Sequence, residues 1–268
     1  MNGNTIEMGV RRFGRVNWLG MYTLTQREVA RFLKVWTQTI LAPLVTAGLF
    51  LTIFSVAIGQ ARPDVMGVPF IEFLAPGILM MTIMQNAFAN TSSSMVISKV
   101  QGNIVDTLMP PLSAMELTIG YVAGGILRGL IVAVAIAVLM FVFLGIEVQH
   151  PLWLLTFSVL GGGFLGGVGL LAGIYSNKFD TMAAITNFIV TPLSFLSGTF
   201  YSIENLPPAM QVVSHLNPVF YLIDGARYGV IGTSDASPWL GFTVCLVTTL
   251  AIFLVCWAMF KRGYRLKA

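Results

Sequence analysis

Long apolar runs recur along this chain of 268 residues. An α-helix needs about 20 apolar residues to cross a hydrocarbon core of about 30 Å, and each run approaches or exceeds that length. The runs predict six membrane-spanning helices at residues 35–58, 73–97, 116–144, 152–175, 181–203 and 239–260. The fold class that follows is an all-α integral membrane protein.

The segment before the first run has a different pattern. Thr25 and Glu28 have the spacing of a capping box, and apolar residues then recur on one helical face with basic residues on the other. The two sets are Val29, Phe32, Leu33 and Trp36, and Arg27, Arg31 and Lys34. We predict an amphipathic helix over 18–34 in the headgroup layer, after a mobile tail at 1–17. The alternative is that 18–34 is the frayed start of the first span.

A short helix is predicted in the loop 98–112, between the second and third spans. Asn103 precedes it as a cap, and two prolines at 110 and 111 end it. Its first turn and apolar side contain Ile104, Val105, Asp106 and Leu108. A short helix with an apolar side suits a groove on a partner protein, whereas a plain loop on the bilayer is the alternative. Ser113 and Glu116 form a capping box that starts the third span.

The stretch 204–232 is apolar but interrupted by prolines. An asparagine followed by proline is a helix start, and it occurs at Asn205 before Pro207 and at Asn217 before Pro218. The second helix would end at Gly232, which leaves about 14 residues or about 21 Å, too short to cross the membrane. We predict two short re-entrant or interfacial helices at the outer membrane face.

Composition and charge agree with a membrane protein. Hydrophobic residues are 56% of the chain, charged residues are 10%, and the mean hydropathy is +0.82. The net charge of +4 comes from basic residues beside apolar runs, so nucleic acid is not expected as a partner. Twelve basic residues fall in alternate connections and only two in the others, which predicts that both termini are cytoplasmic. The two are Arg62 and Arg227, and the twelve are Arg11, Arg12, Arg15, Arg27, Arg31, Lys34, Lys99, Lys178, Lys261, Arg262, Arg265 and Lys267.

Several kinds of chemistry are not indicated. Glycines at 161–173 lack the lysine of a phosphate loop, and their spacing instead favours close helix packing. Cys245 and Cys256 are about 16 Å apart along one helix, so they cannot form an intrachain disulfide. The two histidines, in outer connections, are poor metal ligands. An intramembrane hydrolase would require Ser197 to face a histidine at membrane depth.

Polar residues within the spans suggest a transport path. Arg128 is the one charge well inside a span, and it could bind an anionic substrate or bond to neighbouring carbonyls or a carboxylate. No carboxylate lies at mid-depth, so a proton-driven carrier is not favoured. Uncharged polar residues of the second and fifth spans could either line a passage or bond between helices. They include Gln85, Asn86, Asn90, Asn187, Thr191 and Ser194.

Two stretches of this chain resemble the permease subunit of type-2 ATP-binding-cassette exporters. They are GTFYSIENLPPAMQVVSHLNPVFYLIDGARYGVIG and GNIVDTLMPPLSAMELTIG. The second departs from the usual form, because Ser98 to Gln101 stand where an acidic residue or a charged pair is common.

The resemblance implies a homodimer that binds two cytosolic nucleotide-binding subunits in the bacterial inner membrane. Mg-ATP would bind to those subunits, and this chain would hold no catalytic residue, cofactor or metal. The implied contacts with the ATPase are Asn103, Ile104, Val105, Asp106, Leu108, Glu28 and Arg31, and the implied outer gate is Pro207, Asn217, Pro218, Asp224 and Arg227. The substrates of such exporters are amphipathic, lipid-linked, polysaccharide or drug-like molecules. A stand-alone carrier is the alternative function.

Overall fold

A computed structural model describes residues 16–57, 64–203 and 206–266. Within these ranges the chain is helical, and its only β-type contact is an isolated bridge between Val65 and Val68. The helices are α1 (Trp18–Leu33), α2 (Ala42–Ala57), α3 (Phe70–Val100), α4 (Ile104–Leu108), α5 (Ala114–Leu144), α6 (Pro151–Tyr175), α7 (Phe179–Ile185), α8 (Thr191–Phe195), α9 (Pro208–Leu216), α10 (Pro218–Ile231) and α11 (Pro238–Arg262). Two π-helical turns, Thr37–Leu41 and Thr186–Val190, precede α2 and join α7 to α8.

Five helices in the described residues are long and apolar enough to span a membrane, which confirms the fold class. They match five of the predicted spans to within a few residues. The predicted span at 181–203 differs, because the helical run ends at Phe195 and turns follow. Gly198 in those turns has a φ of 76°, a left-handed conformation that breaks a helix.

Helix α3 is the centre of the bundle. In its most apolar stretch, 83% of the residues are buried, compared with 17% in the span that contains α2 and 11% in α11. Helices α1, α5, α6 and α10 all pack against it. A helix that is buried on nearly all sides can carry polar residues only where neighbouring helices supply partners.

The glycines of α6 bring its backbone against that of α3, as their spacing predicted. A Cβ added to Gly169 would lie 2.5 Å from the carbonyl oxygen of Phe88 and 2.4 Å from Oγ1 of Thr91. Gly173 meets Ser92 and Met95 in the same way, one turn further along. These small residues permit the close contact of α3 and α6, which are the two most buried of the five spanning helices.

Two predicted helix starts have different outcomes. The capping box of Ser113 and Glu116 is present at the start of α5 and is confirmed. The predicted box at Thr25 is wrong, because α1 begins at Trp18 and is capped by Asn17, whose Oδ1 accepts from the amide of Gly20 at 2.9 Å. Thr25 therefore lies in mid-helix, where the backbone amides already donate to carbonyls of the same helix and need no cap.

The predicted 14-residue helix is α10, which begins at Pro218 and ends at Gly232 with a φ of 74°. It does not rest on a surface, however. Phe220, Leu222 and Ile223 are fully buried, because α10 inserts between α3, α6 and α11. Of the two short helices, only α9 keeps an exposed side. The cap expected at Asn205 lies outside the described residues.

The contact between α6 and α3 can be tested by adding one methyl group. Gly169→Ala should destabilise the protein by about 1–3 kcal/mol, because backbone atoms of α3 cannot move aside. Gly166→Ala is the matched control, since its new Cβ would meet its nearest neighbours at 3.9 Å. Thermal unfolding of the two detergent-solubilised variants measures the difference, and equal stabilities would contradict the proposed contact.

Candidate functional site

A buried carboxylate joins α1 to α3. Glu28 is completely buried, and its two oxygens accept from Arg31 Nη2 at 3.0 Å, Ser94 Oγ at 2.8 Å and Arg27 Nη2 at 3.3 Å. Arg31 also donates to Oδ1 of Asn90 at 3.0 Å. We call these five residues the Glu28 cluster. The two arginines, which were predicted on the basic side of this helix, therefore turn toward the bundle and form bonds there.

Arg27 extends the cluster to α4 and α5. Its Nη1 donates to Oγ1 of Thr107 at 2.9 Å, and its Nη2 donates to the hydroxyl of Tyr121 at 3.2 Å. Thr107 is 4% exposed and Tyr121 is fully buried. One guanidinium thus holds the short helix α4 against the two longer helices beside it.

Helix α4 has a buried side and an exposed side. Ile104 is 2% exposed and packs beside Tyr121, whereas Val105 and Leu108 are 54% and 37% exposed. Asn103 and Asp106 are also exposed. Asn103 has the position of the cap but makes no capping hydrogen bond.

These positions correct two of the predicted partner contacts. Ile104 and Glu28 cannot be surface contacts, because both side chains are enclosed by the protein. Arg31 keeps 30% of its side chain exposed but uses its Nη2 within the Glu28 cluster. Spacing identified α4 but could not indicate which side of it faces inward.

Arg128 has a neutral partner at the middle of α5. Its Nε and Nη2 donate to Oδ1 of Asn86 at 3.2 and 3.0 Å. Within the described residues it forms no ion pair. The bonding partner is therefore the carbonyl oxygen of a side-chain amide on α3 and not a carboxylate.

A cavity of about 650 Å³ lies between α2, α3 and the helical run from Phe179 to Phe195. Three of the predicted pathway residues, Gln85, Asn187 and Thr191, line it together. Asn86 lines an adjacent cavity of about 290 Å³, which shares Gln85 with the first. The remaining walls of the larger cavity are Thr46, Phe50, Met81, Phe88, Ala89, Ser92, Ser93, Met182, Ala183, Thr186, Val190 and Phe195.

The other two predicted pathway residues do not line this cavity. Asn90 is fully buried in the Glu28 cluster. Ser194 is 2% exposed and donates to the carbonyl of Val190 at 2.9 Å. Both bond within or between helices, which was the alternative for each of them.

A second charged cluster lies at the opposite end of α3. Arg227 contacts Asp224 at 3.3 Å and Asp235 at 3.5 Å, donates to the carbonyl of Gly198 at 2.8 Å, and stacks at 4.0 Å over the ring of Phe73. We call these five residues the Arg227 cluster. Its three charged side chains are at most 3% exposed. No pattern in the sequence indicates Asp235, which follows α10, as a member of this cluster.

The amides of Asp235 and Ala236 donate to Asp224 at 2.8 and 2.9 Å. Burial raises the pKa of Asp224 to about 6, although Arg227 and these two amides favour its charged form.

Asn217 accepts from the amide of Val219 at 3.0 Å and donates to Ser197 Oγ at 2.8 Å. Pro207 and Pro218 flank and begin the helices α9 and α10.

The hydrolase alternative gains no support from this region. Ser197 donates to the carbonyl of Leu193 and accepts from Asn217. His215 packs edge-on against Phe220 instead. Among the described residues, no group of three histidine, cysteine or acidic side chains could hold a metal ion, and both cysteines are free and buried.

Comparison with known proteins gives consistent matches. A family model described as ABC-2 type transporter matches residues 20–231. The inner membrane transport permease YadH of Escherichia coli K12 is 35% identical over 251 residues, which are 94% of this chain and 98% of YadH. Nodulation protein J of Rhizobium leguminosarum bv. viciae is 22% identical over 93% of this chain and 95% of its own. Nodulation protein J of Neorhizobium galegae is 21% identical over 90% of this chain and 92% of its own length.

The Arg227 cluster yields a test of stability. Arg227→Met leaves two buried carboxylates without a cation and should cost about 3–5 kcal/mol at neutral pH. The exposed Arg262→Met is the control and should change stability by less than about 0.5 kcal/mol. Thermal unfolding of the detergent-solubilised proteins measures both.

The same variant has a predictable pH dependence. Arg227 lowers the pKa of Asp224, which burial raises, so loss of the cation raises the pKa of Asp224 further above its unfolded value and the folded variant binds a proton more tightly. The deficit of Arg227→Met relative to the native protein should therefore shrink between about pH 8 and about pH 5. A deficit that is constant over this range would exclude uncompensated charge as its cause.

Proposed function

The chain belongs to the ABC-2 type transporter family as a membrane permease subunit, and we propose that it works in export. The molecule moved outward is amphipathic, lipid-linked, polysaccharide or drug-like. A separate subunit hydrolyses Mg-ATP and drives alternating access of the permease. The name of the 35%-identical relative supports a location in the bacterial inner membrane, and the distribution of basic residues supports cytoplasmic termini.

The observation that carries the proposal is the geometry of α4. Its inner side is fixed by Ile104 and by the bond from Arg27 to Thr107, while Val105, Asp106 and Leu108 point away from the protein. A short helix that is held firmly and exposes apolar side chains is suited to transmit force from a partner. The proposed coupling contacts are therefore Asn103, Val105, Asp106 and Leu108.

The proposed pathway runs along the cavity that Gln85, Asn187 and Thr191 line. Apolar side chains beside it are left uncovered by the chain, including Phe188 at 82% and Leu49 at 57% exposure. A second copy of the chain would cover this side and complete the passage, with one ATPase subunit for each copy. The Arg227 cluster, with α9 and α10, would close the outer end.

The absence of a power source in this chain supports a separate ATPase over a stand-alone carrier. The sequence has no phosphate loop, and the described part of the chain has no carboxylate at mid-depth beside Arg128. A stand-alone carrier would concentrate its substrate in liposomes without nucleotide. An exporter subunit would require the ATPase and Mg-ATP.

The coupling role predicts the effect of charges on α4. The double variant Val105→Asp, Leu108→Asp should lose copurification of the ATPase subunit and the Mg-dependent ATP hydrolysis that the purified complex shows. It should still fold, because both side chains are exposed. Ile104 is not suitable for this test, since a charge at its buried position would disrupt the permease itself.

Val212→Asp is the matched control, because Val212 is a 61% exposed valine on α9 at the other end of the bundle. It should retain the ATPase subunit and its activity. Retention of both by the α4 double variant would refute the docking role of α4. Uptake of a fluorescent lipid analogue by nucleotide-free liposomes containing the native chain alone would instead favour the carrier.

A further inference from the structure

A basic cavity of about 520 Å³ lies between α1, α3 and α4. Arg27, Arg31 and Lys34 line it from one side of α1 and its C-terminal cap. Their spacing of four and three residues places them on consecutive turns of one helix face. Three cationic side chains on one wall of a cavity favour the binding of a negative charge in that cavity.

The carboxylates of the cavity compensate only part of this charge. Glu28 is fully engaged by Arg27, Arg31 and Ser94. Asp106 is exposed on the α4 side of the cavity and forms no ion pair with a described residue. Three cations face two carboxylates, so the lining has a net positive charge.

Hydrogen-bond donors remain unused in this cavity. Nε of Arg31 is buried and has no hydrogen-bond partner among the described residues. Lys34 is exposed and forms no ion pair within the same residues. A guanidinium and an ammonium group that line one cavity match the oxygens of a phosphate.

The wall of the cavity at the end of α3 is polar and uncharged. Ser98 and Gln101 of the α3 end and Asn103 before α4 line it. Asn103 donates to Oε1 of Gln101 at 3.4 Å, which leaves the amide NH₂ of Gln101 to donate elsewhere. Cations on one wall and amide donors on the other can surround an anionic group from two sides.

The cavity also has the position expected for lipid headgroups. Val35 lines it, and Val35 and the neighbouring Trp36, which are 46% and 55% exposed, directly precede the first spanning segment at Thr37. Tryptophan is enriched where the hydrocarbon core meets the headgroups. A cavity at this level can receive the headgroup of a lipid whose chains remain in the bilayer.

We propose that this cavity binds the phosphate of an anionic amphiphile, through Lys34 and Arg31 with support from Gln101. The proposal concerns binding alone and holds whichever way the permease transports. The phosphate can come from a membrane lipid or from a soluble phosphate, and the two sources are separated by experiment.

Lys34→Gln is the decisive variant, because Lys34 is exposed and outside the Glu28 cluster. The full-length protein is purified with phosphatidylglycerol or with zwitterionic phosphatidylcholine, and the retained lipid is counted by native mass spectrometry. Binding of phosphatidylglycerol should fall about fivefold in Lys34→Gln, which corresponds to about 1 kcal/mol for one basic residue near an anionic headgroup. Phosphatidylcholine should be retained less by the native protein and should not respond to the variant.

Lys261→Gln is the matched control, since Lys261 is an exposed cation that ends α11 and lies outside the cavity. It should leave lipid retention unchanged. If inorganic phosphate raises the melting temperature of the native protein but not of Lys34→Gln, while phosphatidylglycerol shows no preference, the site exists and takes a soluble phosphate. Equal losses in the two lysine variants, or no binding of either probe, would overturn the proposal.

Discussion

The burial of Glu28 determines how α1 meets the rest of the bundle. A carboxylate without exposure is tolerated only when cations and donors surround it, and here those groups come from α1 itself and from α3. Room for the contact comes from α5, where a Cβ on Gly124 would lie 2.5 Å from Cβ of Glu28. Helix α1 is consequently a packed part of the protein, and the short helix α4 is held in place through Arg27.

At the other end of α3 the buried charge is a cation, and it is surrounded by carboxylates and a carbonyl oxygen in the same way. There the buried cation Arg227 gathers Asp224, Asp235 and the carbonyl of Gly198, which lie on three separate segments. Between the two clusters, Arg128 bonds to the amide of Asn86 and to no other side chain among the described residues. The bundle therefore has a charge-paired junction at each end and weaker polar contacts at its middle, where the cavities beside α2 are found.

Hydropathy was sufficient to predict most helices, because length and apolarity are properties of a segment alone. Pro218 and Gly232 likewise delimited α10, since proline and glycine act on their own backbone. The inward turn of Arg27 and Arg31 and the burial of Ile104 could not be predicted, because they depend on which neighbouring helix covers each side. A signal was present in α3, where Asn86, Asn90 and Ser94 recur every four residues on one face. Their spacing indicated a shared partner surface but not that Arg128, Arg31 and Glu28 would form it.

The strengths of these contacts indicate where the molecule can move. Both ion pairs of Glu28 lie within α1, and hydrogen bonds of these charged groups reach Ser94 on α3 and Thr107 on α4. A hydrogen bond to a charged group contributes about 1.5–3 kcal/mol, which is similar to the coupling free energy of about 1–3 kcal/mol that is typical between two sites. We therefore expect α1, α3 and α4 to move as one unit, since Glu28 and Arg27 join them. Helix α2 and the run from Phe179 to Phe195 contain no such contact among the described residues; one π turn directly precedes α2 and the other lies within the run. Because π turns occur frequently at functional sites and these segments form two walls of the 650 Å³ cavity, we expect a change in access to be made there.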